Sequence, residues 1–566
     1  MTAAPGPPRA PERSARPPRF LPLGDSGLVA EYGGDEISDE ANDAVRALRH
    51  VLEQHLPAGT VESVPTYRSL LLVYDPQRTT AAEIRAAVAA AAAAADPGRV
   101  PQGRLIEIPV AYGGVHGPDL PGLAAEVGLQ ESDVVALHAG REYRVYMLGF
   151  SPGFPYMGTL APALRVPRLA SPRTRVPERT VALAGQQTGV YPIESPGGWR
   201  LIGRTPLRIY APERTAPFLL DAGDRARFVP ISAGQYEREA PADAQAPPTV
   251  AVGRPDLVAE EGGLFTTVQD LGRPGYRRFG LPQGGAMDPL ALRLANQLLG
   301  NPPGAAALEF AAPGPRLAAV RRTVMVVTGA DLSPTVNGRP APMWTAFEVR
   351  EGDVLAFGAP RAGQWGYLAL PGGVDVPVAL GSRATYTRAA LGGYGGRRLQ
   401  RADRIAALRR APAVRLALAA PLWPRVGGAC ELRVVLGPQE GYFAEDATPV
   451  LAREAYRIGM EIDRFGYRLE GPRLMHRAGV ELLSDGLLPG AIQVPAGGQP
   501  IVIMADGPTA GGYPKIGAIV RPDLRGLAQA GRSDEVRFRV VVWERAHEAA
   551  REEAAYLASL RFERAG

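Results

Sequence analysis

Lysine is nearly missing from this chain: Lys515 is its only one, so 62 of 63 basic residues are arginine. A nucleotide-binding P-loop needs a lysine after its second glycine, and Lys515 stands instead in Gly-Gly-Tyr-Pro-Lys-Ile, which excludes that class of ATPase. Covalent biotin, lipoyl or pyridoxal groups also need a lysine, and a biotin or lipoyl lysine lies on an exposed hairpin. If ATP or biotin takes part, another chain is expected to carry it. Lys515 has two readings. It is a residue left behind by arginine bias, or a compact amine needed as a point charge or acid/base group, a role guanidinium cannot fill. On the second reading it is a catalytic candidate.

Cysteine is as scarce. Cys430 alone makes no intrachain disulfide or multi-cysteine metal site and reads as a core thiol. No run of about 18 uncharged apolar residues occurs, so no membrane span is expected. Residues 1–19 are rich in Pro and Arg without an apolar segment and read as a disordered tail rather than a secretory signal, with the cytoplasm as default location. None of the six histidines has metal-ligand spacing. The net charge of +5 is largely local: Arg9, Arg13, Arg16 and Arg19 less Glu12 put +3 in the tail, leaving the body near neutral and nucleic-acid binding unsupported.

What is present is a globular composition, 46% hydrophobic and 21% charged over 566 residues, enough for roughly three or four domains. Residues 20–100 hold two helical patterns among short apolar runs, a small α+β unit. Residues 101–234 change to short strands between Gly/Pro loops, suggesting a barrel or sandwich. The polar, Pro/Ala-rich 235–250 reads as a linker. Residues 251–420 are β-rich with one helix near 288–299, capped by Asp288 with Pro289 in its first turn. A second β-rich unit spans 421–543, and 544–566 is expected to be a C-terminal helix.

Three short matches recur in the same order. Gly185-to-Pro192 and Gly507-to-Pro514 share Gly-x-x-x-Gly-x-Tyr-Pro, Tyr143-to-Met147 matches Tyr456-to-Met460, and Asp224-x-x-Arg227-Phe228 matches Asp534-x-x-Arg537-Phe538. They argue for two related β-domains with a site at their junction. The interval from the Tyr-Pro tyrosine to the arginine is 36 residues in one copy and 24 in the other, an expected loop divergence.

Gly149-Phe150-Ser151-Pro152-Gly153 fits the serine-hydrolase elbow pattern, but Pro152 has no N–H for an oxyanion hole and no helical pattern follows, so a turn is expected. In Tyr112-to-Asp119, a glycine-flanked loop places His116 three residues from Asp119; either the pair contacts substrate or moves a proton, or Asp119 caps the next helix while His116 packs locally. Further on, Arg200 and Arg204 stand near a strand end, where a guanidinium clamps a carboxylate, and Gln187 offers an amide that both donates to and accepts from a lactam. Thr188 and Tyr191 lie in the same polar, glycine-rich stretch.

These strings, with Leu148-to-Tyr156, Gln187-to-Pro192 and Ser195-to-Thr205, make residues 20–232 resemble the B-type subunit of 5-oxoprolinase, the allophanate hydrolase subunit 1 type. Thr267-to-Arg273, Gly285-to-Asp288, Ala295-Asn296, Gly372-to-Pro377, Gly381-to-Arg383, Gly490-to-Pro495 and Gly512-to-Pro514 make residues 250–542 resemble the C-type subunit, the allophanate hydrolase subunit 2 type. About nine tenths of the chain is covered, as a fusion of the two. The resemblance implies a mostly-β α+β fold with two cyclophilin-like β-barrel domains, each with an accessory domain. It implies substrate-binding roles for Gln269, Asp270, Gln493 and Tyr513. It also implies a partner, the separate A-type subunit of 5-oxoprolinase, which works with this chain to open 5-oxo-L-proline to glutamate using ATP. One departure matters: Pro508-Thr509-Ala510 stands where C-type subunits have Gln-Thr-Thr, which puts more weight on Gln187-Thr188.

Three functions compete: a 5-oxoprolinase component, a biotin-dependent carboxyltransferase acting on a urea-like amide with biotin on another chain, and a regulator of the histidine-kinase-inhibitor type. Fusion of the halves disfavours the third, because inhibitor and antagonist would be permanently joined. A homo-oligomer is compatible with all three.

Overall fold

The computed structural model describes residues 17–240, 253–409, 416–419, 426–477, 479 and 482–564. Of the expected tail, 1–19, residues 1–16 lie outside them, whereas Arg19 opens the first strand, where its guanidinium reaches Glu31. Four antiparallel strands, in the order Arg19–Leu23, Gly27–Glu31, Ser69–Tyr74 and Thr60–Pro65, form the small N-terminal sheet. Helix Asp39–Gln54 begins at Ser38, whose side chain accepts the Ala41 N–H, and helix Ala81–Ala94 begins at a Thr80/Glu83 capping box. Both helices cover the face carrying Leu28, Leu70, Leu72 and Tyr74. The opposite face, Leu23, Val29, Leu71 and Val73, packs on Leu487, Leu488, Ala491, Ile503 and Ala518. The unbroken apolar run Ser69–Tyr74 is thus a strand buried on both sides, half of it against residues more than 400 positions away. At roughly 1.5–3 kcal/mol per buried Val or Leu, this seam outweighs any single polar contact near it.

Each half contains a closed seven-stranded barrel. The first runs Leu105–Tyr112, Arg200–Arg204, Thr180–Ala184, Gln187–Val190, Pro155–Gly158, Glu142–Leu148 and Arg225–Ile231; the second runs Cys430–Leu436, Lys515–Ile519, Ala491–Gln493, Ile501–Ile503, Gly466–Glu470, Ala455–Ile462 and Glu535–Val540. Order and direction agree, and in both barrels the last strand closes parallel to the first. Two of the three sequence matches fall on equivalent positions: Tyr143 pairs with Ala226 as Tyr456 pairs with Val536. The third does not. Tyr191-Pro192 follows strand Gln187–Val190, whereas Tyr513-Pro514 precedes strand Lys515–Ile519, so the unequal intervals reflect an offset rather than loop divergence. Gly203 and Gly517 are the true counterparts, since a Cβ on either would meet the matching Val Cγ1 at 2.6 Å and carbonyl at 2.8 Å.

Inside the first barrel, His138 is fully buried, stacked on Phe228 and hydrogen-bonded to Tyr112 at 2.8 Å and to Thr188 at 2.9 Å. Burial lowers its pKa to about 3, so it is neutral in the folded protein. Because unfolding releases a histidine of ordinary pKa, about 6.5, the stability it permits is complete above that pH and is lost as pH falls toward 3. Urea unfolding followed between pH 7 and 5 is expected to show this part of the stability falling by ~1.4 kcal/mol per pH unit below 6.5. His138→Gln should flatten the slope; an unchanged slope would refute the assignment.

Helix Ala233–Glu239, with Ser232 at its N-cap, occupies the start of the expected linker; 241–252 lie outside the described residues. In the second half, a six-stranded and a five-stranded sheet pack face to face, and helix Pro289–Leu298, capped by Asp288 at 3.1 Å, covers the outer face of the latter. The C-terminal helix is Trp543–Ser559 rather than the whole of 544–566. The chain then turns into strand Phe562–Arg564, which pairs with Leu416–Leu418. Trp543, Ala546 and Ala549 close over the N-terminal domain, where the Trp543 indole donates to Tyr74 at 2.9 Å. No helix among the described residues is long and apolar enough to cross a membrane. Cys430 is half-buried on a barrel strand, and burial pushes its thiol up to about 12.

Candidate functional site

The residues singled out from sequence divide into three groups. His116 lies under Tyr236, with ring centroids 4.4 Å apart and Nε2 3.7 Å from Glu237, and burial lowers its pKa. Asp119 makes no capping bond. Its carboxylate accepts the Leu201 N–H at 2.7 Å and the Arg173 guanidinium at 2.6 Å, pinning the loop to strand Arg200–Arg204. Gly117 belongs to that seam, since a Cβ there would stand 2.0 Å from the Ile202 carbonyl. Arg200 is bound to Glu126 at 2.9 Å, and Arg204 donates to the Glu178 carbonyl at 3.1 Å. The His116/Asp119 pair and both arginines are therefore structural here. Helix Ala233–Glu239, which covers His116, comes from a stretch whose composition reads as linker.

Gln269 and Asp270 hold loops of the second half. The Gln269 amide donates to Thr267 and to the Thr385 carbonyl, and Asp270 accepts from Gly272, Ser382 and Arg383, each at 2.7 Å. Thr188 points into the first barrel toward His138 and so is a core contact, not a ligand contact.

The third group does converge, at the junction of the two barrels and the N-terminal domain. Lys515 is fully buried, with Nζ 2.9 Å from Asp485. Asp485 also accepts from the Ser69 hydroxyl at 2.5 Å and the Gln439 amide at 3.1 Å. Burial alone would raise the Asp485 pKa; the Lys515 charge, the Ser69 hydroxyl and the Gly486 N–H outweigh it and hold the carboxyl below its ordinary value. Gln493 is paired with Lys515 across the sheet and donates to the Tyr513 carbonyl at 3.3 Å, while the Tyr513 ring is partly exposed.

One residue from Asp485, Ser484 lies beside the Tyr156 hydroxyl, and two residues from Ser69, Tyr67 lies beside Gln187. Tyr67, Tyr156, Phe154, Tyr191 and Trp199 form a continuous aromatic wall, with centroids 5.0–6.1 Å apart where Tyr156 meets Phe154, Tyr67 and Trp199. The charge of Arg168 reaches Tyr67, Tyr156 and Tyr191. Burial raises all three hydroxyl pKa values, so these groups are neutral donors. The five rings are themselves a buried core cluster, and Gln187 at its edge carries an amide able both to donate to and to accept from a cyclic amide.

Sequence reasoning missed Tyr67, Ser69, Ser484 and Asp485. An isolated acid following Leu-Leu-Ser was the only local signal for Asp485, and its partners lie 30 and 416 residues away.

Comparison with known proteins divides the chain as the barrels do. Residues 18–220 match the carboxyltransferase domain, subdomain C and D, and residues 279–540 match the carboxyltransferase domain, subdomain A and B. The chain is 39% identical to the 5-oxoprolinase B subunit of Bacillus subtilis over 228 residues, covering 38% of this chain and 93% of that protein. It is 35% identical to the 5-oxoprolinase C subunit of Escherichia coli over 302 residues, covering 53% and 95%. Urea amidolyase of Lachancea kluyveri is 32% identical over 49% of this chain, which spans 16% of that larger protein. The crystal structure of TTHA0988 superposes with a TM-score of 0.80 at 37% identity, over 91% of this chain and 99% of that one.

Proposed function

The chain belongs to the carboxyltransferase-domain family as a fusion of the B and C subunit types of 5-oxoprolinase, and from that premise we propose that it is the B/C component of an ATP-dependent 5-oxoprolinase. With a separate A-type subunit it opens 5-oxo-L-proline to L-glutamate. The observation that carries this reading is the near-complete match to both subunits in one chain, whose two halves share the junction holding Gln187.

In this reading the chain binds and orients the lactam. The aromatic wall keeps water from the ring, and Gln187 donates to the carbonyl oxygen while accepting from the ring N–H. The single lysine is buried in an ion pair, out of reach of phosphates or of covalent biotin, which supports placing the nucleotide chemistry on the A-type partner. Ser151 is buried, and among the described residues its hydroxyl has no partner that would act as a base.

The test mixes the chain with the A-type partner, ATP and 5-oxoproline and follows glutamate and ADP together. Equal production of both is expected, unaffected by a serine-directed fluorophosphonate. No glutamate from an assembled complex would reject this reading. Turnover of a urea-like amide on adding a biotinylated carrier would then favour the carboxyltransferase reading, which the family name and the urea amidolyase match support.

A further inference from the structure

Helix Ala233–Glu239 is held to the first barrel by one side chain. Tyr236 is 3% exposed, while Ala233, Gly234, Glu237, Arg238 and Glu239 face solvent. The Tyr236 ring lies over His116, with centroids 4.4 Å apart, and the Arg204 guanidinium carbon stands 5.7 Å from the same ring. Ser232 caps the helix by accepting the Gln235 N–H at 3.1 Å. Isolated helices shorter than about 12–15 residues are marginal in water, so a helix this short keeps its order only through its anchor.

That anchor rests on a titratable group. His116 is buried, and the loss of water around it disfavours the imidazolium. Two charged groups face the ring. Glu237, on the helix and 3.7 Å from Nε2, favours the cation, and Arg204, on strand Arg200–Arg204, opposes it. Glu237 is exposed, so water screens its attraction, and burial wins: the docked imidazole has a lowered pKa. On the loop of His116 itself, Asp119 is committed to Arg173 and to the Leu201 N–H, at 2.6 and 2.7 Å.

We propose that helix Ala233–Glu239 is a pH-sensitive latch, docked over His116 through Tyr236 at neutral pH and released when the imidazole takes up a proton. Release returns His116 to water and to an ordinary value near 6.5. Docking is therefore at full strength above that pH and weakens as pH falls below it, toward the lower docked value. The opened latch uncovers His116 and Arg204, whose buried Nε makes no hydrogen bond. The latch stands whether or not the chain takes part in opening 5-oxoproline, and its test needs neither a partner chain nor ATP.

Hydrogen exchange of the full chain, read by mass spectrometry between pH 7.5 and 5.5 and corrected for the intrinsic rate at each pH, tests it, with helix Asp39–Gln54 as internal reference. Protection of residues 233–240 is expected to fall by about threefold to tenfold over this range, tenfold being the limit set by one histidine of ordinary pKa. His116→Phe keeps a ring beneath Tyr236 without the titrating nitrogen, so its protection should stay within about twofold across the same range. His116→Gln should dock more weakly and also without pH dependence. Tyr236→Ala should leave the helix unprotected at every pH while the reference helix keeps its protection. Acid loss of barrel stability through His138 would appear equally in wild type and His116→Phe, so the difference between them reads the latch alone. Wild-type protection of 233–240 that does not change with pH, or an equal decline in His116→Phe and His116→Gln, overturns the proposal.

Discussion

Lys515→Met is expected to cost ~3–5 kcal/mol of stability at pH 7, because it strands the buried Asp485 carboxylate without its cation. Asp485 is held below its ordinary pKa, so in the wild type the pair stabilises fully above the unfolded carboxyl value, near 3.9. That contribution is lost as pH falls through the lower folded value. Without the ammonium, burial alone acts on Asp485 and raises its pKa. The gap between variant and wild type should therefore narrow on acidification, when a protonated Asp485 no longer needs a cation. Lys515→Met combined with Asp485→Leu should recover most of the loss. Lys515→Arg is expected to cost ~1–3 kcal/mol by overpacking, which explains why a chain this biased toward arginine keeps one lysine. Urea unfolding of the four proteins at pH 7 and 4.5 measures all of this. A Lys515→Met variant as stable as wild type but inactive would instead make the lysine catalytic.

Gln187→Ala is expected to lower kcat/KM for 5-oxoproline about a hundredfold in the reconstituted system, the loss typical of removing one positioned donor from a polarised carbonyl. Gln187→Glu, which accepts but cannot donate, should lose as much. His116→Ala and Arg204→Ala remove groups already bound elsewhere in the first barrel and should stay within threefold of wild type. Comparable losses in all four would mean that the junction is not where the lactam binds.

The barrels are legible in the sequence because their strands carry short alternating runs and the antiparallel pairing of each last strand, with Glu142–Leu148 in one barrel and Ala455–Ile462 in the other, is anchored by Tyr143/Ala226 and Tyr456/Val536, which recur in sequence. The Gly-x-x-x-Gly-x-Tyr-Pro match misleads because glycine, tyrosine and proline serve turns in many places, so the same letters arise at unequal positions. His116 and Asp119 look catalytic in one dimension because their actual partners, Tyr236 and Arg173, come from segments with no local mark of the contact. Gln187 and Lys515 stand out for sound chemical reasons. The Ser69–Asp485 bond that completes their surroundings spans 416 residues, and no periodicity encodes it.

The small N-terminal domain belongs to the first half by sequence, yet one face of its sheet is buried against the second half. A gene divided between residues 240 and 253 would therefore encode two polypeptides, neither able to hide its own oil. One would expose Leu23, Val29, Leu71 and Val73, the other Leu487, Leu488 and Ile503. Such products must be made side by side and in matched amounts. A single reading frame fixes that ratio at translation, before either surface meets water.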